Sequence, residues 1–140
     1  MKRRSSMLVF ALLWLSAAVL FLAIDMIWLT KIARGLYMGE IGPLLLETPN
    51  MGAAIAFYAL YITGLTLFVL LPAYEANSVG KALLMGAALG AVAYGTYDLT
   101  NLAVMRDFTT RIALVDLAWG TILTGTVSAL VIAGSRLFAR

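Results

Sequence analysis

No cysteine and no histidine occur in this 140-residue chain. Their absence excludes disulfides, thiolate chemistry, haem ligation by histidine, and zinc sites built from either residue. Any general acid or base work falls to carboxylates, tyrosines or lysines. Charge is scarce too: 12% of the residues are charged, against about a quarter in an ordinary soluble domain. Proline occurs three times, at Pro43, Pro49 and Pro72.

What fills the chain instead is apolar, 63% of it. A soluble fold of that composition would lack polar residues to cover its surface. Four apolar runs predict membrane-spanning helices at about 7–29, 51–71, 81–105 and 112–137. Each has the ~20 residues needed to cross a ~30 Å hydrocarbon core. Only helices or closed barrels satisfy the backbone in lipid, and continuous apolar runs are not barrel strands. The predicted fold class is therefore all-α, an integral membrane four-helix bundle forming a single transmembrane domain over residues 1–140. Pro49 is expected in the first turn of the second helix, with Thr48 or Asn50 as its cap, and Pro72 is expected to close it.

The basic start, Met1-Lys2-Arg3-Arg4, resembles a signal peptide. The apolar run behind it continues uncharged from Met7 to Ile24 with no clean small-x-small site, longer than the ~7–15 residues of a signal core. An uncleaved first helix is the expectation. The net charge of +3 reads as a topology signal, because the basic residues sit at helix ends; no nucleic-acid partner is implied. Lys2, Arg3, Arg4, Lys81, Arg136 and Arg140 share one side, and Lys31, Arg34, Arg106 and Arg111 the other. The richer side predicts cytoplasmic N- and C-termini. Residues 31–50 form a long connection with apolar residues, Ile32, Leu36, Tyr37, Ile41 and Leu44–Leu46, among charges and glycines. That pattern suits a segment lying in the interface, either a tether or a functional lid.

Seven acidic residues are present. Glu40, Glu47, Glu75 and Asp107 are expected in loops; Asp25, Asp98 and Asp116 lie inside helices. Charges at membrane depth are costly, so such residues face the bundle interior and are functional candidates. At 1.5 Å per residue, they fall ~6, ~10 and ~6 Å from the same, outer end. Asn101 and Tyr94 share a helix face with Asp98, and Tyr58 and Tyr61 lie at similar depth. Trp28 and Trp119 each follow an aspartate by three residues, as a weak Asp-x-x-Trp repeat. An outer-facing polar chamber walled by aromatics is the sharp reading; interhelical hydrogen bonding with Trp28 as an interfacial anchor is the bland one. Three anions in one bundle cannot all stay ionised without compensation. A retained proton, a hard metal cation on oxygen ligands, or a cationic solute would supply it. The sequence requires no cofactor. Gly86-x-x-x-Gly90 in the third helix marks a close-packing face, for the bundle itself or for a homodimer.

The segments Tyr94-Gly95-Thr96-Tyr97-Asp98-Leu99-Thr100-Asn101-Leu102-Ala103 and Asp116-Leu117-Ala118-Trp119-Gly120 are distinctive. With Asp25-Met26-Ile27-Trp28 and Phe57-Tyr58-Ala59-Leu60-Tyr61, they resemble a family of bacterial predicted inner-membrane proteins, a four-helix domain of unknown function. Phe108 stands where that family is expected to carry Trp. The resemblance implies a multi-pass protein of the bacterial inner membrane and supplies no activity. The leading functional reading is a carrier or ligand-binding protein, with Asp25, Asp98, Asn101 and Asp116 taking a proton, metal cation or cationic solute, supported by Tyr58, Tyr61, Tyr94, Tyr97, Trp28 and Trp119. An accessory subunit of a larger membrane complex ranks second. A lipid- or isoprenoid-modifying enzyme ranks third, because no paired carboxylates on one helix and no deep basic cluster are present to hold a metal and phosphate.

Overall fold

A computed structural model describes residues 5–138. The orientation signal from Lys2, Arg3, Arg4 and Arg140 lies outside them. Among the described residues, four helices are long and apolar enough to cross a membrane: α1 (Ser6–Ile32), α3 (Met51–Glu75), α4 (Val79–Val104) and α5 (Thr110–Phe138). A short helix, α2 (Arg34–Ile41), lies in the first connection, followed by a 3-10 turn at Gly42–Leu44.

Each spanning helix starts where a side chain can take up an orphan backbone N–H. Ser5, Asn50, Ser78 and Thr109 accept from the amides of Leu8, Ala53, Lys81 and Ile112, at 3.1–3.2 Å. Asn50 is thus the cap of α3, and Pro49 stands just before it rather than in its first turn. Pro72 does not close α3. The helix runs on to Glu75, so that residue ends a helix rather than lying in a loop. A π turn at Thr66–Leu70 explains the continuation. Proline lacks an N–H, and its ring crowds the carbonyl four residues back. That residue, Phe68, lies inside the widened turn, which makes room. A second π turn, Trp28–Ile32, finishes α1.

The tightest packing is between α4 and α5. A Cβ on Gly86 would lie 2.5 Å from Ser128 Oγ, and one on Gly90 would run into the backbone carbonyl of Gly120. The reverse fit holds at Gly125, whose Cβ would lie 3.1 Å from the Leu83 carbonyl. The glycine face is therefore consumed inside the bundle and is not free for a second copy. α5 is the central helix; its Leu123, Val127, Val131 and Ile132 meet Leu13, Ala17 and Phe21 of α1 and Ile62 and Leu65 of α3 in one core. Trp14 Nε1 donates to Thr63 Oγ1 at 3.0 Å and ties α1 to α3. The buried hydroxyls of Thr66, Ser128 and Ser135 donate to carbonyls of their own helices, which satisfies them locally. Leu15, Val19, Leu60, Leu84, Val92 and Ile122 point outward. In water such a surface would aggregate; in a bilayer it faces its solvent.

α2 folds back over one end of the bundle. Ile41 packs with Phe108, Ile112 and Ala113, with Leu36 and Tyr37 beside them. Glu40 faces Arg111 at 3.7 Å. That pair is largely exposed on its arginine side and adds little stability. The first connection is thus a docked helix rather than a loose tether.

Candidate functional site

The helix ends revise the depth of the three intramembrane carboxyls. Asp25 lies seven residues from Ile32, Asp98 six from Val104 and Asp116 six from Thr110, so all three sit ~9–11 Å below the α2 end. They share a level, but they do not share one partner set.

Asp25 is 5% exposed. Its Oδ2 accepts from Tyr58 Oη at 2.6 Å and its Oδ1 from Trp119 Nε1 at 3.0 Å. One carboxyl therefore ties α1 to α3 and to α5. Trp28 stacks flat on Trp119, with ring centroids 4.2 Å apart and planes 7° apart. Its Nε1 is buried and has no hydrogen-bond partner. An interfacial anchor would hold that N–H among headgroups, so Trp28 does not sit as one. Asp25→Ala is expected to strand the Tyr58 hydroxyl and the Trp119 N–H and to cost ~2–4 kcal/mol of stability. Asp25→Asn, which keeps an acceptor, is expected to lose less. Thermal unfolding in mild detergent measures both.

Asp116 is half-buried and its Oδ1 accepts from Tyr37 Oη at 2.6 Å. Tyr37 comes from α2, so the docked helix reaches into the bundle and binds an intramembrane carboxyl. Burial, and then the hydrogen bond to Asp116, raise the Tyr37 phenol well above its usual range, which keeps it a proton donor.

Asp98 is 0% exposed, and neither of its carboxyl oxygens has a hydrogen-bond partner. Its carboxyl neighbour is Asp116. Two ionised carboxylates can only accept and repel each other; with one proton between them, one can donate to the other. A cavity of about 180 Å³ beneath α2 is lined by Asp98 and Asp116 with Tyr37, Ile41, Leu45, Tyr97, Phe108 and Ile112. A second cavity, about 260 Å³, is lined by Phe57, Ala93, Tyr94, Tyr97 and Asp116. Tyr97 and Asp116 line both.

The remaining residues divide. Tyr97 is more than half exposed and packs edge-on against Phe108, centroids 6.2 Å apart. Tyr94 lies over Gly120, where a Cβ would fall within its ring, and meets Tyr61 edge-on at 6.1 Å. Tyr61 shares a 2.8 Å hydrogen bond with buried Thr124 and belongs to the core rather than to a cavity wall. Asn101 is half-buried, hydrogen bonds to none of the carboxyls, and lines neither cavity. The structure therefore brings Asp98, Asp116 and Tyr97 together and places Asp25, Trp28, Trp119 and Tyr58 in an adjoining, internally satisfied set. Among the described residues, no three acidic side chains lie close enough to hold a metal ion between them.

Two wall residues escape the sequence reading, Tyr37 and Phe57. Tyr37 is legible only as one apolar-periodic residue in a possible lid. Phe57 adjoins Tyr58 in a helix whose faces the sequence does not distinguish, because that helix is apolar all round.

These features define a helical membrane protein of four spanning segments with a carboxyl pair enclosed near one end. The chain belongs to the family described as predicted membrane protein (DUF2177), which it matches over residues 10–133. No curated protein and no solved structure matches it.

Proposed function

We propose that the protein is a cation-binding membrane protein of the small-carrier kind, in which the Asp98–Asp116 pair holds one positive charge: a proton at rest, exchanged for a cationic solute. The observation that carries this reading is Asp98, fully buried with both carboxyl oxygens unmet by any donor among the described residues. A buried charge is tolerated when it is paired and hydrogen bonded. The described spanning helices carry no Lys or Arg at that level: Lys31, Arg34, Arg106 and Arg111 are all exposed at the α2 end. Compensation therefore comes from outside the described helices. Two cavities lined by Asp116 provide the room for exchange.

The test is infrared spectroscopy of the purified protein at neutral pH. The carbonyl stretch of a protonated carboxylic acid is expected in the native protein. It should be lost in Asp98→Asn, shifted but retained in Asp116→Asn because burial alone keeps Asp98 protonated, and unchanged in Asp25→Asn. A native protein without that band, or a band that survives Asp98→Asn, overturns the proposal.

We further propose that both termini lie in the cytoplasm and that the α2 end faces outward across a bacterial inner membrane. The support is the excess of Lys and Arg on the side of the termini. Cysteine labelling at position 45 from outside intact cells, but not at position 77, is the expected result.

A further inference from the structure

The geometry points to an organic ammonium ion as the cation, bound in the larger of the two cavities that Asp116 lines, with its head on Asp116 and its alkyl part toward the bilayer. This inference rests on the carboxyl-pair reading and adds the chemical class of the ligand.

The lining of the larger cavity selects the class. Phe57, Tyr94 and Tyr97 supply three aromatic rings, and Asp116 is the one charged side chain. Aromatic faces attract a cation through their quadrupole and ask for no hydrogen bond in return, which is how substituted ammonium groups are held. A hard metal ion needs several oxygen ligands at once, and no three acidic side chains converge here among the described residues. Size argues the same way. The cavity of about 260 Å³ is roughly nine times the ~30 Å³ that one water occupies in the liquid. A proton or a bare metal ion needs no such space, whereas a small alkylammonium group fills it.

The route of access narrows the class further. Phe57 is 44% exposed and Tyr97 58% exposed, both on helices whose outer surface faces lipid. The larger cavity therefore opens on the side of the bundle, below the level of its end. The smaller cavity opens beneath α2 and is walled by Tyr37, Ile41 and Leu45. An amphiphilic ammonium ion approaching from the bilayer meets aromatic rings first and Asp116 behind them. Asp98, unpartnered and adjacent, is positioned to give up the shared proton as the ammonium ion arrives. The site then keeps one positive charge throughout: the cation enters, and the proton leaves through the α2 cavity. A free amphiphile and a lipid headgroup share this chemistry.

The test uses the full chain in nanodiscs of digalactosyldiacylglycerol, a neutral lipid with no ammonium group. Calorimetry compares choline with its uncharged isostere, 3,3-dimethylbutan-1-ol. Choline is expected to bind at least about tenfold more tightly. Phe57→Leu and Tyr97→Leu, both at exposed positions, are each expected to weaken choline about tenfold while leaving the protonated-carboxyl infrared band in place. Choline and the isostere binding alike, or neither binding, in a protein that shows the band overturns the ammonium inference and leaves the carboxyl-pair reading standing. A native protein without the band removes both. Where choline binds, adding phosphatidylcholine to the nanodiscs separates the sources: weakened choline binding identifies a lipid headgroup as occupant, and unchanged binding identifies a free ammonium compound.

Discussion

Asp98→Leu is expected to unfold at a higher temperature than the native protein, by an amount corresponding to ~1–3 kcal/mol. Removing a buried side chain usually destabilises a protein, so the sign needs its reason. The Asp98 carboxyl is fully buried and accepts no hydrogen bond from any donor in the described chain. Its burial forfeits the water it would bind in the unfolded chain and returns at most the one hydrogen bond shared with Asp116. Leucine is of similar length and carries no such penalty. Replacing poorly compensated buried charges by apolar residues is often neutral or stabilising. The same substitution is expected to abolish the protonated-carboxyl band and the binding of choline.

Asp25 supplies the contrast. It lies at the same depth and is the same residue type, but it accepts from Tyr58 and from Trp119. Its removal strands two donors and is expected to destabilise. Opposite signs at two carboxyls on one level would identify Asp98 as a residue kept for function at a cost in stability. If Asp98→Leu destabilised as much as Asp25→Ala, Asp98 would be a structural residue like Asp25, and the site would lose its main support. Thermal unfolding of the variants in one detergent decides the matter.

The second large effect is expected at Gly90. Gly90→Leu should prevent α4 and α5 from packing, at a cost of ~3 kcal/mol or more, with loss of the folded species on size-exclusion chromatography. At Gly90 even a Cβ would overlap the Gly120 carbonyl and crowd Thr124 Cβ at 2.9 Å. The obstacle is backbone, which cannot rotate aside as a side chain can, so the two helices would have to separate along their length. Gly134→Ala is the matched control on α5. Nothing lies within 4 Å of a Cβ there, and alanine is the better helix former by up to ~1 kcal/mol. It is expected to be neutral or slightly stabilising. Equal damage at both positions would mean that glycine flexibility, not close approach, is what matters in this hairpin.

The number of spanning helices and their approximate limits are legible in the sequence, because lipid imposes a length and a composition that local reading detects. The level of Asp25, Asp98 and Asp116 is legible for the same reason: counting residues along a helix measures depth. The cap at Asn50 follows from short-range chemistry. Continuation of α3 past Pro72 is harder to read, since the π turn that permits it depends on how the helix sits in the bundle.

Which carboxyl is satisfied and which is not lies beyond any local pattern. Asp25 meets a hydroxyl 33 residues away and an indole 94 residues away. Asp116 meets Tyr37 from a connection 79 residues away. Asp98 meets no donor at all. Helices that are apolar on every side carry no amphipathic stripe to announce their inward face, so rotation about each helix axis is set by packing. Here it is set chiefly by the close fit of Gly86, Gly90 and Gly125 between α4 and α5. The sequence by itself determined a four-helix membrane protein with three aspartates at one level near one end. Only the tertiary structure decided that one of them ties three helices together, that the other two line one cavity, and that Tyr37 from a docked helix hydrogen bonds to Asp116, because those contacts depend on how the helices rotate against one another.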